Sequence, residues 1–378
     1  MAFDRPEALA AVKPPLFPVP PCVVAGRRTG QPRRLPRDGI SWAGRVSTHH
    51  VSWPEVENEL SAVEGRIQTV GDDHGGSPYR SRFRQGATLV PRVLIAVEEM
   101  APGPLGIAAG RMEIRSARST LEKPPWKNLP SRSGVVERRF VHSMVSGATI
   151  VGFRLRAREL VVIPYVDGEL MSGESEVLDE HPGLAAWWRE AERLWEKHKS
   201  KGSNLSLLGR INYQRGLQHQ FPIPAHRVVY TTSGQYLAAC RLDDPEAVVD
   251  SSLYWTAVAG IDEGRYLTAI LNSDPLAEQM RPLQARGEHN PRHFHLLPLD
   301  VTFPEYDADD PLHRQLVDLA KRAEAVAADV VLDPGKRFET ARRAIREALA
   351  EDGAGDDLTA VVRRLLVAAA TAPSLVGG

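Results

Sequence analysis

Between residues 79 and 260, apolar residues come in short runs broken by Gly, Pro and charge, which is the punctuation of β-strands. The runs are A-T-L-V-P-R-V-L-I-A-V-E-E from Ala87, V-V-E-R-R-F-V-H-S from Val135, A-T-I-V-G-F-R-L from Ala148 and L-V-V-I-P-Y from Leu160. A second set follows as H-R-V-V-Y-T-T from His226, Q-Y-L-A-A-C-R-L from Gln235 and S-S-L-Y-W-T-A-V-A from Ser251. Between the sets, Leu184 to Lys199 changes to a helical period, with Trp187, Ala191, Leu194, Trp195 and His198 on one stripe. A second helix is predicted from about Leu205 to Leu217. Asp262 is expected to cap a helix ending near Asn272, and Asp274-Pro275 and Asp310-Pro311 read as caps with proline in the first turn. A strand is predicted near Leu296 to Phe303. Leu312, Leu316, Leu319, Ala323, Val326, Ala327 and Val330 form the apolar face of the next helix. Two further helical segments, about Arg337 to Glu351 and Leu358 to Ala370, complete the chain. Residues 1 to about 78 read as a Pro-rich extended arm with a strand near Cys22 to Ala25. The pattern predicts an α+β fold in three parts: an arm and strand that complete a sheet belonging to something upstream (1–78), a β-rich domain with inserted helices (79–305) and an α-helical tail (306–378).

At 378 residues, 42% hydrophobic and 25% charged, the chain has the composition of a soluble globular protein. No run of eighteen apolar residues and no export-signal pattern is present, which predicts a cytoplasmic protein with no membrane partner. Cys22 and Cys240 lie far apart in apolar surroundings, so both are expected to be buried free thiols, with neither disulfide nor zinc. The formal net charge of -1 conceals an asymmetry. Arg80 to Arg158 carries about 15 basic against about 5 acidic residues, and Asp300 to the end about 10 against about 15. A local basic face of that kind suits a polyanion.

The densest polar chemistry lies between Ser273 and Asp300, where Arg281, Gln284, Arg286, His289, Asn290, Arg292 and His293 crowd one loop. Planar multi-donor side chains match phosphates and base edges, so this loop reads as a nucleic-acid reader. His289 and His293 can bond phosphate or bases, with His295 opening the next strand; the three histidines can instead brace the loop or hold a metal, but Pro291 breaks helical spacing and no Glu-x-x-His element completes a hydrolytic site. Arg82 and Arg84 share one side of an extended segment and either pair with successive phosphates or charge a strand edge. Arg115, Arg118, Lys123 and Lys127 are expected to contact phosphate, and Trp126 is a packing anchor or a stacked base. No catalytic residue is assigned. The Asn-Pro-Pro-Tyr type of tetrad, a glycine-rich cofactor turn and a Walker lysine loop are all absent from the sequence, and V-A-G-R-R-T-G at Val24 lies in the Pro-rich arm without a helix signal.

F-R-Q-G-A-T-L-V-P-R, E-K-P-P-W-K-N-L-P, G-V-V-E-R-R-F-V, A-H-R-V-V-Y-T-T-S-G-Q-Y-L-A-A, L-Y-W-T-A-V, A-I-L-N-S-D-P-L, R-G-E-H-N-P-R-H-F and F-P-E-Y-D-A-D-D-P-L-H-R occur in order along the chain. Together, from about residue 14 to about 366, they resemble the C-terminal half of large adenine-specific DNA methyltransferases of bacterial restriction-modification and phage-defence systems. The resemblance implies a target-recognition module for double-stranded DNA, with the S-adenosylmethionine site and catalytic tetrad in a methylase core outside this sequence. It implies no cofactor in this chain and a methylase-core subunit or domain as partner; a split subunit, a truncated product and an excerpt of a longer protein all fit. The alternative reading is a protein-interaction scaffold of a defence complex, docking partners through the tryptophan-bearing helix and the acidic tail.

Overall fold

The chain R-V-V-Y-T at Arg227–Thr231 has no polar alternation, and in the computed structural model it is buried on both faces. Residues 2–14, 16, 21–30, 36, 38–48, 50–67, 76–103, 106–119, 122–281, 284 and 293–371 are described. The Arg227–Thr231 strand lies second in a four-stranded antiparallel sheet ordered Ala239–Leu242, Arg227–Thr231, Leu253–Ala257 and Arg84–Gln85. A second sheet has six strands, ordered Ser133–Glu137, Arg111–Ser116, Ala96–Glu99, Glu159–Val162, Val141–Val145 and Ala247–Val249. Its pairings are antiparallel except the last, where Val141–Val145 runs parallel to Ala247–Val249. A third, four-stranded sheet lies in the N-terminal segment, ordered Cys22–Val23, Glu7–Lys13, Asp38–Arg45 and Leu60–Arg66. The architecture is α+β, as the sequence pattern predicts.

Three apolar clusters organise the main body. The six-stranded sheet packs on the helix Pro182–His198 through Ile114, Val136, Val161, Leu184, Trp187, Trp188 and Trp195. The four-stranded sheet turns Val228, Tyr230 and Tyr254 toward the helices Ile261–Leu271, Pro311–Asp329, Phe338–Asp352 and Ala354–Thr371. Its opposite face meets the six-stranded sheet through Val145, Val229, Cys240, Val249, Leu253 and Trp255. The tail helices thus share one core with strands before residue 305. Asp310 caps its helix as expected, accepting from Leu312 N at 2.7 Å and His313 N at 3.3 Å.

Several sequence expectations are corrected. Leu297–Asp300 forms a helical turn where a strand was predicted; Pro298 lacks an amide hydrogen and fits a first helical turn. Arg92–Ile95 is also a helical turn, because a short apolar run buried all round does not declare its period. The predicted second helix is confined to Leu207–Ile211, followed by two short 3-10 turns, since Gln214 and Arg215 adopt positive φ. Ser273, not Asp274, caps Asp274–Met280, and Gly260 rather than Asp262 precedes Ile261–Leu271. Cys22 is exposed on an edge strand, whereas Cys240 is buried, with its thiol pushed up to about 12 by desolvation.

Candidate nucleic-acid interface

The predicted basic residues divide by what they touch. Arg82 donates to Ala257 O, pairs with Glu263 at 2.9 Å, and stacks over Tyr79. Arg115 is paired with Glu98 at 2.7 Å. Arg118 donates to the carbonyls of Leu129 and Lys127 and pairs with Glu122 at 2.8 Å, so it holds its own loop together. Arg84 is exposed on the Arg84–Gln85 edge strand, near Arg215 and His219. Desolvation first, and then the two guanidiniums, lower the pKa of His219 below its ordinary value. Lys123 and Lys127 are exposed, and among the described residues their ammonium groups make no hydrogen bond or ion pair.

The Arg-rich loop is visible at its two feet. Arg281 is exposed at the end of Asp274–Met280, and Gln284 donates to Gly234 O at 3.5 Å. At the other foot His293 forms a bridge with Ser233, Phe294 N donates to Thr232 O at 2.7 Å, and Tyr230 Oη donates to His295 O at 2.7 Å. His293 and His295 rings stack 5.0 Å apart, and His295, expected to open a strand, sits instead in a turn at φ 44°. Both feet therefore stand on the 231–239 hairpin. Arg286, His289, Asn290 and Arg292 lie outside the described residues.

Two grooves meet beside these features. One, about 1320 Å³, is walled by Lys123, Trp126, His198, Arg210, Arg337 and Phe338, with Ser146 and Asp250 also lining it. The other, about 880 Å³, is bounded by Ser233, Gln235, His293, Arg343 and again Phe338. Phe338, at the start of Phe338–Asp352, belongs to both. One groove thus borders the Lys123–Trp126 loop and the other a foot of the Arg-rich loop, with Phe338 common to both. Arg210 makes no side-chain hydrogen bond or ion pair among the described residues, and Arg343 reaches Glu347 only at 3.9 Å. Trp126 is a packing anchor: it stacks on Trp195 with centroids 5.4 Å apart, with His198 against its edge. The missed contributors, Arg210, Arg337, Phe338 and Arg343, come from two distant stretches of chain that the sequence gives no reason to join.

Trp187, Trp188 and Trp195 are 4%, 0% and 7% exposed, so the helix that a scaffold would use for docking spends its tryptophans on the core. Among the described residues no helix is long and apolar enough to cross a membrane.

No protein-family profile and no curated protein matches the chain. Among solved structures it is similar to the type IIL restriction-modification enzyme MmeI in complex with DNA, at 9% identity and TM-score 0.45, over 88% of this chain and 39% of that one. It is also similar to the type IIG restriction endonuclease BpuSI, at 11% identity and TM-score 0.33, over 96% of this chain and 44% of that one. The chain spans less than half the length of either.

Proposed function

We propose that this chain binds duplex DNA in a sequence-dependent way, as the target-recognition part of an adenine-specific, S-adenosylmethionine-dependent methyltransferase whose catalytic core lies outside this sequence. The observation that carries the reading is the pair of grooves sharing Phe338, one lined by unpaired Lys123 and Arg210 and the other by His293 at a foot of the Arg-rich loop. A polyanion gains most from cations that no protein carboxylate already neutralises. In this reading the Arg, Asn and His side chains of the loop read base edges in a DNA groove while the cations of the two grooves hold the backbone. Arg286, His289, Asn290 and Arg292 are the base-edge candidates, and Lys123, Lys127 and Arg84 the phosphate candidates; Arg281, Gln284 and His293 set the loop's feet. Arg82, Arg115 and Arg118 reach phosphate in this reading only by exchanging a protein partner for it.

Fluorescence anisotropy of a labelled duplex across a salt series tests the proposal. The chain is expected to bind with a steep salt dependence, and K123E/R210E to lose at least about 10-fold in affinity, its log–log salt slope falling by about 2 for two lost phosphate contacts. Arg322→Ala, in a tail pair with Asp352 and Asp357, should leave both unchanged. Salt-insensitive or absent DNA binding would overturn the reading. The pure chain with S-adenosylmethionine is expected to transfer no methyl group to DNA.

A further inference from the structure

Val141–Val145 and Ala247–Val249 are the parallel pair of the six-stranded sheet, with Val145 opposite Val249. Their next residues, Ser146 and Asp250, therefore leave the sheet side by side at its carboxyl edge, and both line the larger groove. Crevices at the carboxyl ends of parallel strands are favoured ligand sites, because the chain turns away there and leaves side chains facing a gap. Asp250 is held rigidly. Its N donates to Val145 O at 2.9 Å, and its Oδ1 accepts from Ser252 N at 2.9 Å and Ser252 Oγ at 2.6 Å. Ser252 Oγ in turn accepts from Gly147 N at 2.8 Å, which ties the two strand ends together. The carboxylate is nevertheless half used. The residue is 5% exposed, yet among the described residues nothing donates to Oδ2 and no cation pairs with it. Beside it Ser146, 2% exposed, has an Oγ without a hydrogen-bond partner.

A fixed carboxylate on the floor of a channel walled by Lys123, Arg210 and Arg337 repels phosphate at that point. What complements it is an uncharged N–H donor. A divalent cation would call for more carboxylates, and among the described residues no group of three His, Cys, Asp or Glu converges on a point. We infer that Asp250, with Ser146, reads the exocyclic amino group of an adenine or cytosine in the bound DNA. Oδ2 accepts from the amino nitrogen, and the Ser146 hydroxyl serves the adjoining acceptor of the base edge. The inference rests on the DNA-binding reading and deepens it.

The test is selection of duplexes from a randomised pool by the full chain and by Asp250→Asn, followed by binding to the preferred duplex with single bases replaced by analogues lacking the amino group. Asparagine keeps an oxygen for Ser252 but presents an amide where Oδ2 stood. Wild type is expected to prefer A or C at one position and to lose about 10-fold or more when that amino group is removed. Asp250→Asn should shift that position toward G or T and lose less than about 2-fold on the same deletion, with its salt slope unchanged. Ser146→Ala, which disturbs no protein hydrogen bond, should weaken discrimination at the same position. If both proteins select the same sequence and suffer equally from amino deletion, the inference fails while DNA binding stands. It fails likewise if Asp250→Asn does not fold and neither Ser146→Ala nor the amino-deletion scan of wild type singles out a position. If wild type binds no duplex, the functional reading itself falls.

Discussion

Arginine in this chain does two jobs that the sequence writes with the same letter. Arg227 is 1% exposed and donates to Ala247 O and Asp244 O, both at 2.6 Å; Arg132 donates to Leu94 O and Trp187 O and lies over the Trp187 ring. Arg342 fastens the 147–150 turn to the tail through Gly147 O and Ile150 O. Burial lowers these three guanidiniums to about 10, so they remain charged at neutral pH. A guanidinium offers five donors in a fixed fork, which suits a buried carbonyl as well as a phosphate. Arg227→Ala is therefore expected to cost about 3 kcal/mol in urea unfolding, since it takes the guanidinium from one buried and one part-buried carbonyl and opens a void. Lys123→Ala should reverse the pattern, lowering DNA affinity with stability unchanged to within about 0.5 kcal/mol. The same ambiguity explains why Arg118 reads as a phosphate ligand from its neighbours in sequence while the fold commits it to its own loop's carbonyls. Lys123 and Lys127, a few residues away, keep their charges open.

Among the elements, those with local signals were legible and those decided by partners were not. Asp310-Pro311 announces its helix, and Asp310→Ala should cost about 1 kcal/mol in thermal unfolding. The helix Pro182–His198 has no such cap of its own. Its first amides donate instead to the Glu137 carboxylate, Gly183 N at 3.1 Å and Leu184 N at 2.9 Å. Desolvation works against this carboxylate's charge, but the amides and Arg111 prevail and hold its pKa below the usual glutamate value. A depressed pKa stabilises the fold above the unfolded-state value and loses that contribution as pH falls through the folded-state value. The stability gap between wild type and Glu137→Gln should thus be constant near neutrality and close below about pH 4. No rule of periodicity locates such a cap, because donor and acceptor are supplied by segments some forty-five residues apart.

For the whole molecule, local charge counts proved a poor guide to the surface. The basic excess from Arg80 to Arg158 is answered in part by acids from elsewhere: Asp300 for Arg80, Glu263 for Arg82, Glu246 for Arg138 and Asp244 for Arg158. Arg154 meets the last carbonyls of Pro311–Asp329, including Ala327 O at 2.7 Å. The α+β class and the alternation of strand and helix blocks were readable; the sharing of one core between strands and tail helices was not. Removing residues 306–378 strips Leu316, Ala320, Ile345 and Val362 from that core. The shortened chain is expected to show no cooperative unfolding transition by circular dichroism, instead of retaining a folded β-rich domain.

Phe338 belongs to the lining of both grooves, so a single ring is common ground for whatever occupies either. A molecule lodged beside Trp126 and one lodged beside His293 would thus touch the same side chain.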